Sequence, residues 1–262
     1  MNMYKRTRYL VVGDKGISVE FGNALNEEIN LRVQKLWFSL KEIKLPGIIE
    51  AFPTIRSLFV YYNPIEISVK RLIRELKHIE SELGEITLPP SRLFDVPCLY
   101  GGEFGPDLDV ISKILHLLPE EIIQIHSGKE YLIYATGAIG GSAHFKVPPP
   151  LDSLPRKKTP DLGVPVGAVQ VAGGMGSAFK PLAGPTGWYW IGTSPLRQWF
   201  PEKDPPLLIK AGDKLIYRPV NRQEFFEVKK LVDEGQYDPI IPAEHTKKKD
   251  LEYRTVKLGE NT

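Results

Sequence analysis

The chain has 262 residues, of which 42% are hydrophobic and 25% charged, a profile typical of a soluble globular protein with one large domain or two ordinary ones. Its 34 basic and 32 acidic residues nearly cancel, so the overall charge does not call for nucleic acid or an anionic membrane as a partner. The single cysteine, Cys98, excludes an intrachain disulfide and is interpreted as a small buried hydrophobic residue. No apolar run of about twenty residues predicts a transmembrane helix. The short apolar run near the start is too brief for a signal peptide, so a cytoplasmic protein is expected.

The first part of the chain alternates strand and helix signals. Residues 8–21 predict a β-hairpin, because apolar and polar residues alternate on both sides of a Gly-Asp-Lys-Gly turn. Asn26 is a predicted N-cap of a helix whose apolar positions include Leu31, Leu36 and Leu40, and Pro46–Gly47 ends it. Two predicted strands, Ile48–Phe52 and Ser57–Tyr62, follow this helix.

A second helix is predicted over residues 68–83, where apolar residues recur three or four positions apart. Gly84 is its predicted C-cap, and a strand over Arg92–Leu99 comes next. The resulting order β-β-α-β-β-α-β predicts a small sheet covered by two helices, an α+β layer.

Pro89–Pro90 is the predicted domain boundary, since two prolines make a stiff, extended break. The division gives an α+β domain over residues 1–90 and a β-rich domain over 91–235. Residues 236–262 form a predicted tail, irregular except for a strand-like stretch at 253–258, that packs on the domain or on a partner.

Candidate site residues begin in the second domain. Glycines surround Glu103 and Phe104, and Asp107 stands where a helix N-cap is expected. His126 falls near the end of a short helix over Pro119–His126, which Pro119 suits at its first turn. Two interpretations stay open for His126: it pairs with the free carbonyls of the helix end, or it is a titratable group beside the loops.

A strand over Tyr131–Tyr134 precedes a long stretch, residues 135–165, that is almost free of secondary-structure signal. Loops of that length are usually functional or mobile. The stretch contains a positive cluster, Arg156–Lys158, which is either a solvated surface or a place where an anionic substrate binds.

Glycine and proline crowd residues 164–195, around short strands at Ala168–Ala172 and Trp188–Gly192. Two interpretations stay open: these are the tight turns of a β-barrel, or they line a groove where backbone amides meet a ligand. Further strands are predicted over Pro206–Lys210 and Leu215–Arg218, with a helix over Arg222–Gly235.

Several common site motifs are missing from the sequence. It contains no phosphate-binding loop of the G-x-x-x-x-G-K-[ST] type, no dinucleotide-binding G-x-G-x-x-G and no G-x-S-x-G. Gly173 and Gly174 belong to a glycine cluster that is too common to specify a nucleotide. Five separated histidines and one cysteine predict no protein-built metal site.

Motifs in collinear order over about residues 8–235 nevertheless carry a resemblance. The most specific are YGGE-x-GPDL, complete at Tyr100–Leu108, and the segment Gly47–Pro64, GIIEAFPTIRSLFVYYNP. The others are Gly13–Gly16, His126–Ser127, Thr159–Gly173 and Gly187–Pro195. The chain thereby resembles the carboxyltransferase-domain (subdomains C and D) family that contains the B subunit of 5-oxoprolinase, the kinase A inhibitor protein of spore-forming bacteria (KipI) and allophanate hydrolase subunit 1.

The resemblance implies a ferredoxin-like N-terminal domain and a cyclophilin-like β-barrel. It implies a partner like the C subunit of 5-oxoprolinase and, in the oxoprolinase system, an A-type protein as well. The complex would hydrolyse a small cyclic amide, 5-oxoproline, to glutamate with ATP, and Mg²⁺ would accompany the ATP, on this chain or elsewhere in the complex. Phosphorylation of the amide oxygen would make the lactam cleavable. The alternative is a KipI-like regulator that binds a histidine kinase, or a catalytically silent structural protein of the complex.

The same resemblance makes Glu103, Asp107 and His126 the catalytic candidates, for acid–base or positioning roles. The substrate- or nucleotide-binding candidates are Gly101, Gly102, Lys158, Gly173 and Gly174, and no metal ligand is expected.

The chain departs from the family pattern in three places. Gly137–His144 replaces a run that usually reads G-F-x-P-G-F-x-Y, Asp161 replaces an arginine, and Met175–Ser177 replaces Gln-Thr-Gly. An aspartate reverses the charge that an arginine offers to an anion. The chain thus keeps the framework motifs of the family and differs in the loops. This pattern is expected of a protein that keeps the family fold but has altered or lost the substrate chemistry.

Overall fold

An antiparallel sheet of four strands forms the first part of the protein. The computed structural model describes residues 3–242, so the predicted strand-like stretch at 253–258 and most of the tail lie outside the described residues. The sheet has the order β1-β2-β4-β3. Its strands are β1 (Met3–Val12), β2 (Gly16–Gly22), β3 (Ile48–Pro53) and β4 (Ser57–Tyr62). The predicted hairpin and the two strands after it are thus confirmed.

Two helices, α1 (Glu27–Ile43) and α2 (Val69–Ser81), cover this sheet. Asn26 begins α1 as predicted, and its side chain accepts a hydrogen bond from the Ile29 N–H at 3.1 Å. Apolar side chains of the sheet and both helices share one core. Its fully buried members include Ile17, Val19, Phe21, Val33, Leu36, Leu58, Val60, Leu72 and Leu76.

One local prediction in this part was wrong. Gly84 is not the C-cap of α2: the helix ends earlier, at Ser81, and the chain leaves it through tight turns in which Glu82 and Leu83 donate to Ile79 and Glu80. Of the apolar positions named for α1, Leu36 and Leu40 are buried in the core, and Leu31 is 45% exposed.

A second, larger sheet of nine strands follows. Eight of them have the order β6-β14-β5-β13-β10-β11-β8-β7, and β15 pairs with β5. The strands are β5 (Leu93–Tyr100), β6 (Glu130–Leu132), β7 (Ala135–Thr136), β8 (Ala143–Lys146), β10 (Ala168–Ala172), β11 (Met175–Ser177), β13 (Tyr189–Thr193), β14 (Lys214–Pro219) and β15 (Ile240–Ile241). A separate ribbon pairs β9 (Asp161–Val164) with β12 (Gly184–Thr186).

The large sheet curls back on itself. Strands β6 and β7 stand at opposite ends of the strand order, yet only Ile133 and Tyr134 separate them in the chain. Tyr134 donates its N–H to the carbonyl of His144 on β8 at 2.8 Å, which brings the two ends together. The sheet is therefore a curled half-barrel, and its apolar residues fill the interior. The core includes Phe94, Val96, Ile122, Tyr131, Phe145, Val169, Phe179, Ile191 and Leu215.

Three more helices pack on this sheet: α3 (Leu108–Leu115), α4 (Pro119–Ser127) and α5 (Arg222–Asp233). The α+β class is confirmed. The two cores share no residue, and Pro89–Pro90 lies between them in the chain. The domain limits themselves stay predictions.

The stretch 135–165 was predicted to be almost free of secondary structure, and this was wrong, because it contains β7, β8 and β9. These strands have two to four residues, too few to show a period. The predicted strand over Pro206–Lys210 was also wrong: that segment makes only an isolated bridge, between Leu207 and Trp199.

Candidate functional site

The glycine-rich segment after β5 packs on the neighbouring strand β13. Gly101 and Gly102 have positive φ angles, 71° and 53°, and lead into a short 3₁₀ turn. Glu103 stands on that turn with a side chain 66% exposed, and its carboxylate pairs with Arg222 at the start of α5. Glu103 is accessible to a ligand or a protein partner, and its catalytic role stays a prediction.

Asp107 joins three parts of the barrel domain. It precedes α3 as predicted, but its carboxylate makes no capping bond. Instead, it accepts the Trp190 N–H at 2.7 Å and pairs with Lys157 Nζ at 2.6 Å. Burial tends to lower the pKa of Lys157, but the carboxylates of Asp107 and Asp161 outweigh it, so the Lys157 pKa is raised. The geometry of Asp107 is that of a buried structural link.

His126 lies wholly inside the barrel core, with no exposed surface. Its Nδ1 is 2.8 Å from the hydroxyl of Tyr100, and the ring of Tyr217 is 4.3 Å away between centroids. The interpretation that the ring pairs with the free carbonyls of the helix end was wrong, because the ring points into the core. Burial lowers the pKa of His126 to about 3, so it is neutral at physiological pH.

The prediction for Cys98 is confirmed, since this thiol is buried and burial raises its pKa.

The eight predicted site residues do not form one site. Gly101, Gly102, Glu103 and Asp107 belong to the segment after β5, and His126 is in the core. Lys158 is exposed on the surface, and Gly173–Gly174 form the tight turn between β10 and β11, with φ angles of 58° and 80°.

A groove of about 570 Å³ lies elsewhere, over strands β8, β10 and β11. None of the eight predicted residues lines it. The segments 137–142 and 180–188 form its walls. Its polar and aromatic lining is Ser142, His144, Arg156, Gln170, Ser177, Lys180, Thr186 and Trp188. We call it the β8–β10 groove.

Three polar side chains form a row across the floor of the β8–β10 groove. Ser177 on β11 is directly opposite both His144 on β8 and Gln170 on β10 in the antiparallel registers, so all three side chains point to the same face. The Ser177 hydroxyl is 3.0 Å from that of Ser142. The Thr186 hydroxyl donates to Gln170 Oε1 at 3.4 Å, which orients the amide.

Two polar atoms in this row are buried without a hydrogen-bond partner among the described residues: His144 Nδ1 and Gln170 Nε2. A buried polar group left unpaired costs about 1–3 kcal/mol. Most buried polar groups in proteins are paired, so these two atoms are positions where a ligand or a water molecule could form the missing hydrogen bonds.

The groove walls are cationic. Arg156 lies over the ring of Trp188, 5.8 Å from its centroid, and Lys180 Nζ donates to the Pro185 carbonyl at 3.3 Å. No aspartate or glutamate is among the lining residues. Burial lowers the pKa of His144, with a smaller contribution from Arg156 and against a backbone hydrogen bond with Gly176 that raises it. Burial also lowers the pKa of Lys180. The groove therefore suits a small anion that also forms hydrogen bonds.

The three basic residues of the cluster Arg156–Lys158 lie in three different environments. Arg156 lines the groove, Lys157 is held by two carboxylates, and Lys158 is exposed. One of those carboxylates belongs to Asp161, the residue that replaces the family's arginine. The reversed charge at this position is thus neutralised inside the chain.

Sequence reasoning missed His144, Gln170 and Lys180. A signal existed for His144, because it ends the altered run Gly137–His144. Gln170 gave none, since a polar residue in a short strand is ordinary. Only the pairing of β8, β11 and β10 places it in the same row as His144.

Across residues 3–242, no group of three or more histidine, cysteine, aspartate or glutamate side chains is arranged to hold a metal ion. In the same range, no helix is long and apolar enough to cross a membrane.

Fold and motifs together define a carboxyltransferase-type domain. The family model for the carboxyltransferase domain, subdomains C and D, matches residues 7–209, and the chain belongs to this family. It is 33% identical over 231 residues to the 5-oxoprolinase B subunit of Bacillus subtilis (strain 168), a match covering 83% of this chain and 95% of that protein. The corresponding protein of Escherichia coli O157:H7 is 30% identical over 218 residues, or 82% of this chain and 97% of the relative.

Solved structures share the fold of this chain. The crystal structure of the protein TTHA0988 is similar with a TM-score of 0.68 and 31% identity, over 79% of this chain and 40% of that one. The urea carboxylase of Kluyveromyces lactis has a TM-score of 0.72 over 90% of this chain and 23% of its own length. Its identity is 19%, so this likeness concerns the fold alone.

Proposed function

We propose that this chain is the B-type subunit of an ATP-dependent 5-oxoprolinase-like amidohydrolase complex. The observation that carries the proposal is the 33% identity with the Bacillus subtilis 5-oxoprolinase B subunit over 95% of that protein's length. Its partners would be proteins like the C and A subunits of 5-oxoprolinase. ATP, with Mg²⁺, would bind to the complex, on this chain or on a partner.

The finer architecture belongs to the same proposal. In the four-stranded sheet, the series β2-α1-β3-β4-α2 has the strand order of a ferredoxin-like domain, with β1 in the place of the last strand. The curled sheet would be the cyclophilin-like barrel.

The reaction needs ATP because a five-membered lactam is a stable amide. In the proposed step, the amide oxygen attacks the γ-phosphorus of ATP, the bond to the bridging oxygen breaks, and ADP leaves. Water then adds to the activated carbon, the C–N bond breaks as a proton moves to the nitrogen, and the ring opens to an acyl phosphate. A second water hydrolyses this acyl phosphate to glutamate and phosphate. A groove of about 570 Å³ with two cations and no carboxylate in its lining is compatible with a small anionic substrate.

The test is ATP hydrolysis with and without 5-oxoproline. It compares the full chain alone with the chain co-purified with homologues of the A and C subunits from the same genome. We expect substrate-stimulated ADP and glutamate production by the complex only. An assembled complex that forms no glutamate from added 5-oxoproline would contradict the proposal.

Glu103 can be tested in the same assay with a matched control. Glu103→Ala and Arg222→Ala each break the exposed ion pair between these residues, but only the first removes the carboxylate. A catalytic role predicts loss of turnover in Glu103→Ala and near-normal turnover in Arg222→Ala. Equal activity in both variants would exclude that role.

The altered segment Gly137–His144 favours a second function, a KipI-like regulator, because it lines the groove where family loops differ. A regulator would form a stable complex with a histidine kinase, lower its autophosphorylation and show no turnover. Pull-down and autophosphorylation assays with a kinase encoded nearby distinguish the two functions.

A further inference from the structure

The floor of the β8–β10 groove carries two buried nitrogen atoms, one of an imidazole and one of an amide, without a hydrogen-bond partner among the described residues. Gln170 is 5% exposed, and its Nε2 is unpaired, while Thr186 occupies the Oε1 side of the amide. His144 Nδ1 is likewise unpaired. In the tautomer that carries the proton on Nε2, the imidazole accepts at Nδ1. In that tautomer the floor of the groove holds an acceptor on β8 and a donor on β10, both enclosed by the side chains of the floor.

The distance between His144 and Gln170 leaves room for one small cyclic ligand between their side chains. His144 and Gln170 are two strands apart in the same row, which corresponds to about 10 Å between their Cα atoms. Both side chains are long enough to reach towards a molecule between them. The paired hydroxyls of Ser142 and Ser177 lie beside this position.

A lactam matches this pair for a geometrical reason. The ring forces its amide to be cis, so the N–H and the C=O lie side by side on one edge. A linear secondary amide is trans and presents them on opposite sides. An acceptor and a donor on one floor can therefore satisfy both groups of a cyclic amide, but not both groups of a linear one.

The cationic side chains in the groove walls favour a ligand that also carries a carboxylate. Arg156 and Lys180 line the groove without a salt bridge to any described carboxylate. A guanidinium and an ammonium are the usual partners of a carboxylate.

We infer that the β8–β10 groove binds a lactam carboxylic acid, with His144 accepting the ring N–H, Gln170 donating to the ring carbonyl, and Lys180 and Arg156 holding the carboxylate. This inference rests on the proposed function for the substrate class, and it assigns the binding of that substrate to this chain.

The test is direct binding to the full chain alone, by titration calorimetry or ligand-observed NMR. The probes are 5-oxoproline, 2-pyrrolidone, which lacks the carboxylate, and N-acetylglycine, whose amide is linear. We expect 5-oxoproline to bind at least about tenfold more tightly than either analogue, since each analogue leaves a group of the site unpaired. Equal binding of all three, or no binding of 5-oxoproline, would overturn the inference.

Two variants identify the residues. Gln170→Met keeps the side-chain volume and removes the donor, so affinity should fall roughly tenfold while the melting temperature stays the same or rises. Lys180→Met should weaken binding of 5-oxoproline but leave binding of 2-pyrrolidone unchanged. Lys70→Met, an exposed lysine of α2, is the matched control and should bind as wild type. Unchanged affinity in folded Gln170→Met would overturn the assignment.

The inference and the proposed function can fail separately. If the complex hydrolyses 5-oxoproline but the Gln170→Met complex has an unchanged KM, the site is wrong and the function stands. If the chain binds 5-oxoproline through Gln170 and the complex shows no turnover, the site stands and the function is wrong.

Discussion

At the residue scale, two histidines of the barrel domain show how similar side chains serve different purposes. His126 is surrounded by the rings of Tyr100, Tyr131 and Tyr217; its Nδ1 is paired, and its Nε2 is enclosed in the core without a partner among the described residues. His144 points to the groove, and its Nδ1 is unpaired. The two histidines therefore differ in location, because His126 is enclosed by the core and His144 lines the groove.

Burial of His126 makes stability dependent on pH. Its pKa is about 3 in the folded protein and 6.5 in the unfolded chain. Between these values only the unfolded chain takes up the proton, so the free energy of unfolding falls as pH drops below 6.5. Lowering the pH from 7.5 to 5 should remove about 2 kcal/mol through this group.

Urea unfolding of wild type and His126→Phe at pH 7.5 and pH 5 measures this effect. The phenylalanine keeps the aromatic volume and cannot titrate, so the variant should lose about 2 kcal/mol less than wild type over the same change of pH. Equal losses in the two proteins would show that His126 is accessible to protons in the folded state.

At the element scale, β13 is the platform on which the segment Gly101–Leu108 rests. Thr193 donates its hydroxyl to the Phe104 carbonyl at 2.7 Å, and Asp107 and Trp190 exchange hydrogen bonds. The contact is close because Gly105 has no side chain: a Cβ there would lie 2.1 Å from the Ile191 carbonyl oxygen. The glycine in this motif is required for packing.

Gly105→Ala should therefore destabilise the protein by at least about 2 kcal/mol, since the backbone of β13 cannot move away without breaking the sheet. Gly84→Ala is the matched control. Nothing lies within 4 Å of a Cβ at Gly84 and its φ is not positive, so that variant should gain about 0.4–1 kcal/mol. Thermal and urea unfolding of both variants check the contrast, and a Gly105→Ala protein as stable as wild type would contradict it.

At the scale of the whole molecule, helix α1 connects the two cores. Asn30 Nδ2 and Gln34 Nε2 each donate to the Tyr134 carbonyl at 3.1 Å, where β6 meets β7. These two hydrogen bonds therefore join α1 to Tyr134, which lies with Ile133 between the two end strands of the curled sheet. Arg92 and Asp213 pair at 2.6 Å, and both line a cavity that Asn30 and Gln34 also line.

Removing both donors should uncouple the two parts. The double variant Asn30→Ala, Gln34→Ala leaves the Tyr134 carbonyl without these partners, at a cost of about 1–3 kcal/mol. We expect one calorimetric unfolding transition for wild type and for Gln223→Ala, which lies on the exposed face of α5, and a broadened or divided transition for the double variant. One sharp transition in the double variant would show that the cores are coupled by other contacts.

The sequence by itself determined the features that depend on near neighbours. The hairpin turn, the N-cap of α1 and the apolar spacing of α2 each involve residues within a few positions, and they predicted the α+β layer correctly. The motifs Gly47–Pro64 and Tyr100–Leu108 led to the family, because each is a long, specific run of letters.

Only the tertiary structure decided the candidate site. His144 and Gln170 are 26 positions apart in the chain and meet through the registers of three strands, the shortest only three residues long. Asp107 and Trp190 are separated by 83 positions. Strands this short carry no readable period, and a side chain's partner across a sheet follows from the pairing register, which depends on the packing of the whole domain.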